Sequence, residues 1–141
     1  MICIVNGPNL NLLGKRQPEI YGSVSFEDFL SELRVKYPVE DIQYFQSNSE
    51  GEIIDCIQKC GYDGKCSGII LNPGAFAHYS YAIADAISSV PVRVIEVHIS
   101  NIHAREEFRR KTVTGAACHA MLCGFGLKGY ELALKYLSGN E

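Results

Sequence analysis

Residues 68–97 read GIILNPGAFAHYSYAIADAISSVPVRVIEV. The opening apolar run, 68–71, is too short for a helix, and 92–97 shares its enrichment in Val and Ile, so both are expected to be strands. Between them Ala82, Ile83, Ala86, Ile87 and Val90 recur at helical spacing, and Pro91 ends the segment. Two nearly continuous apolar strands joined by one helix indicate a parallel βαβ unit whose sheet is covered on both faces.

The alternation extends in both directions. Apolar runs recur at 2–5, at 42–45 and, less clearly, at 116–121. Helical spacing recurs in Phe26, Phe29, Leu30, Leu33 and Tyr37, in Ile53, Ile54, Ile57 and Cys60, and over 127–137. Ser25 precedes Asp28 by three residues, a capping-box variant with a shorter carboxylate, and Pro38 marks a helix exit. The expected architecture is α/β and flavodoxin-like: a five-stranded parallel sheet with helices on both faces, as a single domain over residues 1–141. A chain of 141 residues buries about 68–70% of its unfolded surface, so no disulfide framework is needed.

Hydrophobic residues make up 47% and charged residues 21% of the chain, which is ordinary for a globular protein and argues against a disordered chain. A net charge of −3 offers no basic field for a nucleic-acid backbone. No run approaches the roughly 20 apolar residues of a membrane span, and the start MICIVNGPN has neither a basic region nor a cleavage site, so a cytoplasmic protein is expected. The six cysteines, Cys3, Cys56, Cys60, Cys66, Cys118 and Cys123, form no C-x-x-C pair and no zinc-finger spacing. They are expected to be buried, reduced thiols, with Cys56 and Cys60 as core neighbours on one helix face.

In such a sheet ligands bind beyond the carboxyl ends of the strands. The polar residues there fall into three clusters: Asn6 to Gly22 after the first strand, Asn72 to His78 after the third, and Glu96 to Asn101 at the end of the fourth. The first is far longer than the usual βα loop of about 2–6 residues and reads as a functional flap. Gly14-Lys15 is not a phosphate loop, because Gly7 is too distant and Arg16 replaces the required Ser or Thr.

Within that flap Arg16 and Tyr21 are a candidate pair, since a cation beside a phenol favours its ionised form; a solvated Arg16 and a Tyr21 that packs the loop is the plainer alternative. Glu96 and His98, two apart on a buried strand, share one sheet face, and a carboxylate orients an imidazole used as an acid. A purely structural pair is the alternative. His78 and Asp85, seven apart, are expected on one helix face, where His78 otherwise caps a helix and Asp85 is a surface charge. Asp85 lies in an apolar run, where a lone carboxylate needs a partner. Arg109 falls in the charge-rich helical segment 105–111, usually solvated, and gains interest only from its closeness to the His98 rim. Asn9, Asn72 and Ser100 suit hydroxyls and Arg109 a carboxylate, an inventory that describes a polyhydroxylated organic acid. No carboxylate cluster suggests a metal and no glycine fingerprint a dinucleotide cofactor.

The run Val5-Asn6-Gly7-Pro8-Asn9-Leu10, with Leu13-Gly14, Arg16, Pro18 and Tyr21-Gly22, closely resembles the signature of type II 3-dehydroquinate dehydratases. Asn72-Pro73-Gly74 with His78, Asp85, the run from Ile95 to Asn101 and Arg105-Glu106-Glu107-Phe108-Arg109 extend the resemblance over nearly the whole chain. It implies conversion of 3-dehydroquinate to 3-dehydroshikimate without cofactor or metal, in a homododecamer built from trimers. It also implies Tyr21 as proton acceptor, His98 as proton donor and Arg16 as transition-state stabiliser. Asn72, His78, Ile99, Ser100 and Arg109 would bind substrate, Asn9 and Glu96 would support, and Asp85 would come from a neighbouring subunit. Two rivals remain: a dehydratase using a lysine Schiff base, and a non-catalytic flavodoxin-like binding module.

Overall fold

The computed structural model of the protein describes residues 1–139. Five strands, β1 (Ile2–Asn6), β2 (Ile42–Gln46), β3 (Gly68–Asn72), β4 (Arg93–His98) and β5 (Ala120–Cys123), pair in parallel in the order β2-β1-β3-β4-β5. The α-helices are α1 (Pro18–Tyr21), α2 (Phe26–Lys36), α3 (Glu50–Tyr62), α4 (Tyr81–Ser89) and α5 (Lys128–Ser138).

The apolar strands bury both faces, and alternation of side chains sorts them into two cores. Ile2, Ile4, Ile70, Ile95 and Val97 pack with Phe26, Leu30 and Leu33 of α2 and with Tyr130, Ala133 and Leu134 of α5. On the opposite face Cys3, Val5, Ile69, Leu71 and Val94 meet Ile53 and Ile57 of α3 and Ile83 and Ile87 of α4. Each fully buried side chain of this size contributes about 1.5–3 kcal/mol. Serines start three of the helices: Ser25, Ser49 and Ser80 accept hydrogen bonds from the backbone N–H groups of Asp28, Glu52 and Ile83. Glu131 of α5 joins two helices, accepting from Lys36 at 2.7 Å and from the Tyr37 hydroxyl at 2.6 Å at the end of α2, and from Lys128 at 2.6 Å within α5.

Four expectations need correction. The fifth strand is Ala120–Cys123, not 116–121, because Thr112 Oγ1 accepts from Gly115 N at 2.7 Å and winds Gly115–Ala117 into a 3-10 turn. The charge-rich segment is a 3-10 turn over Glu107–Arg110 rather than an α-helix, and β4 reaches β5 through such turns. His78 and Asp85 do not share a helix: His78 ends the 3-10 turn Gly74–His78, whereas Asp85 is exposed on α4, where its carboxylate needs no partner within the chain. Of the six thiols only Cys3 and Cys66 are buried; the other four are partly open.

Candidate active site

Asn6 and Asn72 are register partners at the carboxyl ends of β1 and β3, on either side of the point where the strand order reverses. Both are buried, so their amides need partners, and Tyr130 of α5 reaches across to supply one. Asn72 Nδ2 donates to the Tyr130 hydroxyl at 2.8 Å, and that hydroxyl donates to Asn6 Oδ1 at 2.9 Å. Burial pushes the Tyr130 phenol far above its ordinary range and keeps the proton in place. The remaining groups of the Asn72 amide stay available to a ligand, since only Gly74 N, at 3.1 Å, bonds its oxygen.

The loops after β1 and β3 lock together above this floor. Gly7 N donates to the Asn72 carbonyl at 2.7 Å, and a Cβ on Gly7 would stand 2.5 Å from the Pro73 carbonyl oxygen. Asn9 takes a left-handed conformation, φ 69°, with its backbone N–H held by Asn48 Oδ1 at 3.0 Å.

The two loops and the segment after β4 enclose a cavity whose lining includes Asn9, Arg16, Tyr21, Asn72, His78, His98, Ile99, Ser100, Arg105 and Arg109. On one wall the Tyr21 hydroxyl accepts a hydrogen bond from Arg105 Nη1 at 2.8 Å, and the same nitrogen lies 3.3 Å from Ser100 Oγ. The guanidinium carbons of Arg16 and Arg105 stand 5.3 and 5.4 Å from the Tyr21 ring centroid. One guanidinium thus bonds the phenol oxygen and a second lies over the same ring, an arrangement that suits negative charge on that oxygen.

On the opposite side His98 Nε2 bonds Glu96 Oε1 at 2.6 Å. Glu96 is fully buried and also accepts from Thr112 Oγ1 at 2.7 Å and Thr114 Oγ1 at 2.5 Å, which makes burial of a carboxylate tolerable. With Nε2–H donated to that carboxylate, Nδ1 is the ring nitrogen left to exchange a proton with a ligand. The ring of His78 lies 6.2 Å from that of His98, and its Nδ1 donates to the Lys111 carbonyl at 2.8 Å. Desolvation holds the His78 imidazole below its usual range, so at neutral pH it is uncharged and its Nε2 accepts. Arg109 is held by Glu106 at 2.7 Å. Glu96 stands behind His98 rather than in the lining, and Asp85 lies outside it. Among the described residues no three His, Cys, Asp or Glu side chains are arranged to hold a metal ion.

A family model for class II dehydroquinases matches residues 1–138. The chain belongs to the class II dehydroquinases. It is 55% identical over 135 residues to the 3-dehydroquinate dehydratase of Caldicellulosiruptor bescii, covering 94% of this chain and 92% of that one. It is 52% identical over 138 residues to the 3-dehydroquinate dehydratase of Clostridium beijerinckii, covering 96% and 94%. Its fold superposes on the crystal structure of the type II dehydroquinase of Butyrivibrio crossotus with a TM-score of 0.91 at 46% identity, covering 97% of this chain and 96% of that one.

In this dehydroquinase the structure adds residues that sequence reasoning did not single out. Arg105, not only Arg16, faces Tyr21, and its guanidinium bonds the hydroxyl directly. Thr112 and Thr114 hold Glu96, and Tyr130 links Asn6 to Asn72. One signal was legible: asparagines ending two neighbouring buried strands leave amides that a buried hydroxyl must satisfy.

Proposed function

We propose that the chain is a hydro-lyase that removes water from 3-dehydroquinate to give 3-dehydroshikimate, as the names of its relatives describe. The observation that carries this reading is one cavity with a phenol held by Arg105 on one side and an imidazole held by a buried carboxylate on the other.

In this mechanism Tyr21, as phenolate, takes a proton from the carbon beside the substrate ketone, and the electron pair moves onto the carbonyl oxygen as an enolate. The enolate then expels the hydroxyl group while His98, as imidazolium, protonates it through Nδ1, so that water leaves. Passage of the proton from Tyr21 back to His98 resets the pair. Arg16 and Arg105 stabilise charge on the Tyr21 side, and Glu96 stabilises the imidazolium. Asn72, His78 and Arg109 bind substrate hydroxyls and carboxylate together with Ile99 and Ser100, and Asn9 supports them.

The reading includes further parts. The reaction needs no cofactor. The protein acts in the cytoplasm, in the shikimate route or in catabolic use of quinate, as one domain over residues 1–141. It assembles as a dodecamer built from trimers, in which the exposed Asp85 serves a neighbouring subunit's site. The Schiff-base alternative lacks support, since no lysine is in the cavity lining among the described residues. An ultraviolet assay with 3-dehydroquinate tests the proposal: growth of conjugated-enone absorbance is expected, and no turnover across a broad pH range would reject it.

A further inference from the structure

A second cavity is lined by Cys3, Cys56 and Cys60 together with Glu52, Asp55 and Asp63. Cys3 is the second residue of β1 and the other two thiols lie on α3, so this cavity is at the amino end of the sheet and shares no lining residue with the first. Nothing in the dehydration uses it.

The Sγ atoms of Cys56 and Cys60 are 4.0 Å apart, and both side chains are partly open. Side chains four apart on a helix have Cβ atoms about 5–6 Å apart, whereas a disulfide needs about 3.5–4.5 Å. The pair is therefore too wide for a direct S–S bond while α3 stays helical, and the right width for one bridging atom. Two metal–thiolate bonds of about 2.3 Å span up to about 4.6 Å, and at 4.0 Å they meet at an open angle.

The surroundings favour a soft cation. Cys3 adds a third thiol to the lining. Met1, a thioether, also lines the cavity, and three carboxylates outnumber Lys59 and the Met1 ammonium there. Thiolate and thioether ligands select Cu+, Zn2+ and iron–sulfur clusters, and a pair of thiolates lacks the four ligands of a closed tetrahedral zinc or cluster site, which leaves Cu+.

We infer that Cys56 and Cys60 form a binding site for a soft d10 cation of the Cu+ type, separate from the dehydratase cavity. Binding displaces the thiol protons to solvent and leaves the ion's oxidation state unchanged.

The test is anaerobic titration of the reduced full-length protein with Cu+ presented as a coloured bathocuproine complex. The expected result is withdrawal of one Cu+ per chain, with Cys56→Ser/Cys60→Ser at least about a hundredfold weaker. Losing both ligands should cost more than the roughly 10–100-fold seen when only a supporting partner is removed. That variant should keep dehydratase turnover, which reports an intact fold, and Cys118→Ser/Cys123→Ser should bind as the parent does. Should Cys56→Ser/Cys60→Ser fail to fold, alkylation footprinting of the unaltered protein decides: Cu+ should protect Cys56 and Cys60 from iodoacetamide. No withdrawal by the parent, equal withdrawal by a folded Cys56→Ser/Cys60→Ser, or no protection at these two thiols would overturn the inference.

Discussion

Replacing Arg105 by Met keeps much of the side-chain volume and removes the donor at 2.8 Å from the Tyr21 hydroxyl. The Arg105 side chain is only 13% exposed, so water does not readily take the donor's place. A hydrogen bond to a charged group contributes about 1.5–3 kcal/mol, and a donor aimed at charge that develops during reaction contributes about 2.7–4 kcal/mol. A loss of about 2–3 kcal/mol corresponds to a fall of roughly 30–160-fold in kcat/KM. Because the phenolate acts in the chemical step, the loss should fall mainly on kcat. Arg105→Lys should recover only part of it, since a compact ammonium cannot both donate to the Tyr21 hydroxyl and keep the planar guanidinium's place 5.4 Å from the Tyr21 ring centroid. Initial rates of enone formation over substrate concentration measure all three. A kcat/KM within about twofold of the parent, or a change confined to KM, would refute the assignment of Arg105 to the base.

Tyr21→Phe should abolish turnover while leaving circular dichroism and the thermal transition in place, because it removes an oxygen at the cavity wall and no core volume. Thr114→Val should destabilise the fold by about 1.5–3 kcal/mol in denaturant titration, since it deletes a buried bond to the Glu96 carboxylate; unchanged stability would show that the bond contributes nothing. Burial raises the Glu131 carboxyl, but Lys128, Lys36 and Tyr37 outweigh it and hold it at about 2. Its contribution to stability is therefore complete above about pH 4.5 and is lost as pH falls towards 2, and Lys36→Met/Lys128→Met should flatten that part of the stability profile. Mixed oligomers of Tyr21→Phe and Asp85→Asn chains should regain activity if Asp85 serves a neighbour, and verified mixed oligomers with no recovery would sink that reading.

The strands were legible because parallel strands buried on both faces are written as unbroken apolar runs, and β1 to β4 fall within one or two residues of their expected places. The run from Ala116 misled because its apolar character says nothing of Thr112, whose hydroxyl winds the chain into a turn before the sheet resumes. The pairing of Glu96 with His98 could be read from a two-residue spacing, since that spacing fixes a shared face. Arg105 was hidden for the opposite reason. It lies in a segment of charged residues with no regular period, and only the path of the chain after β4 turns Arg105 and Arg109 inward while Glu106, Glu107 and Arg110 face solvent. His78 and Asp85 were grouped by helical spacing, and Ser80 separates them by starting a new helix between the two.

The connection from β4 to β5 carries Arg105, which holds the phenol, and Thr112 and Thr114, which hold the carboxylate behind the imidazole. Both ends of the proton path are thus tuned by one short stretch of chain, pinned between its two threonines where Val113 N bonds the Ala77 carbonyl at 2.8 Å. Substitutions near Arg105 and near Thr112 should be epistatic, since a shift of either anchor moves the other. The stretch is consequently constrained in length more than in composition: its exposed residues are free to drift, whereas a single insertion between the two anchors would detune acid and base together.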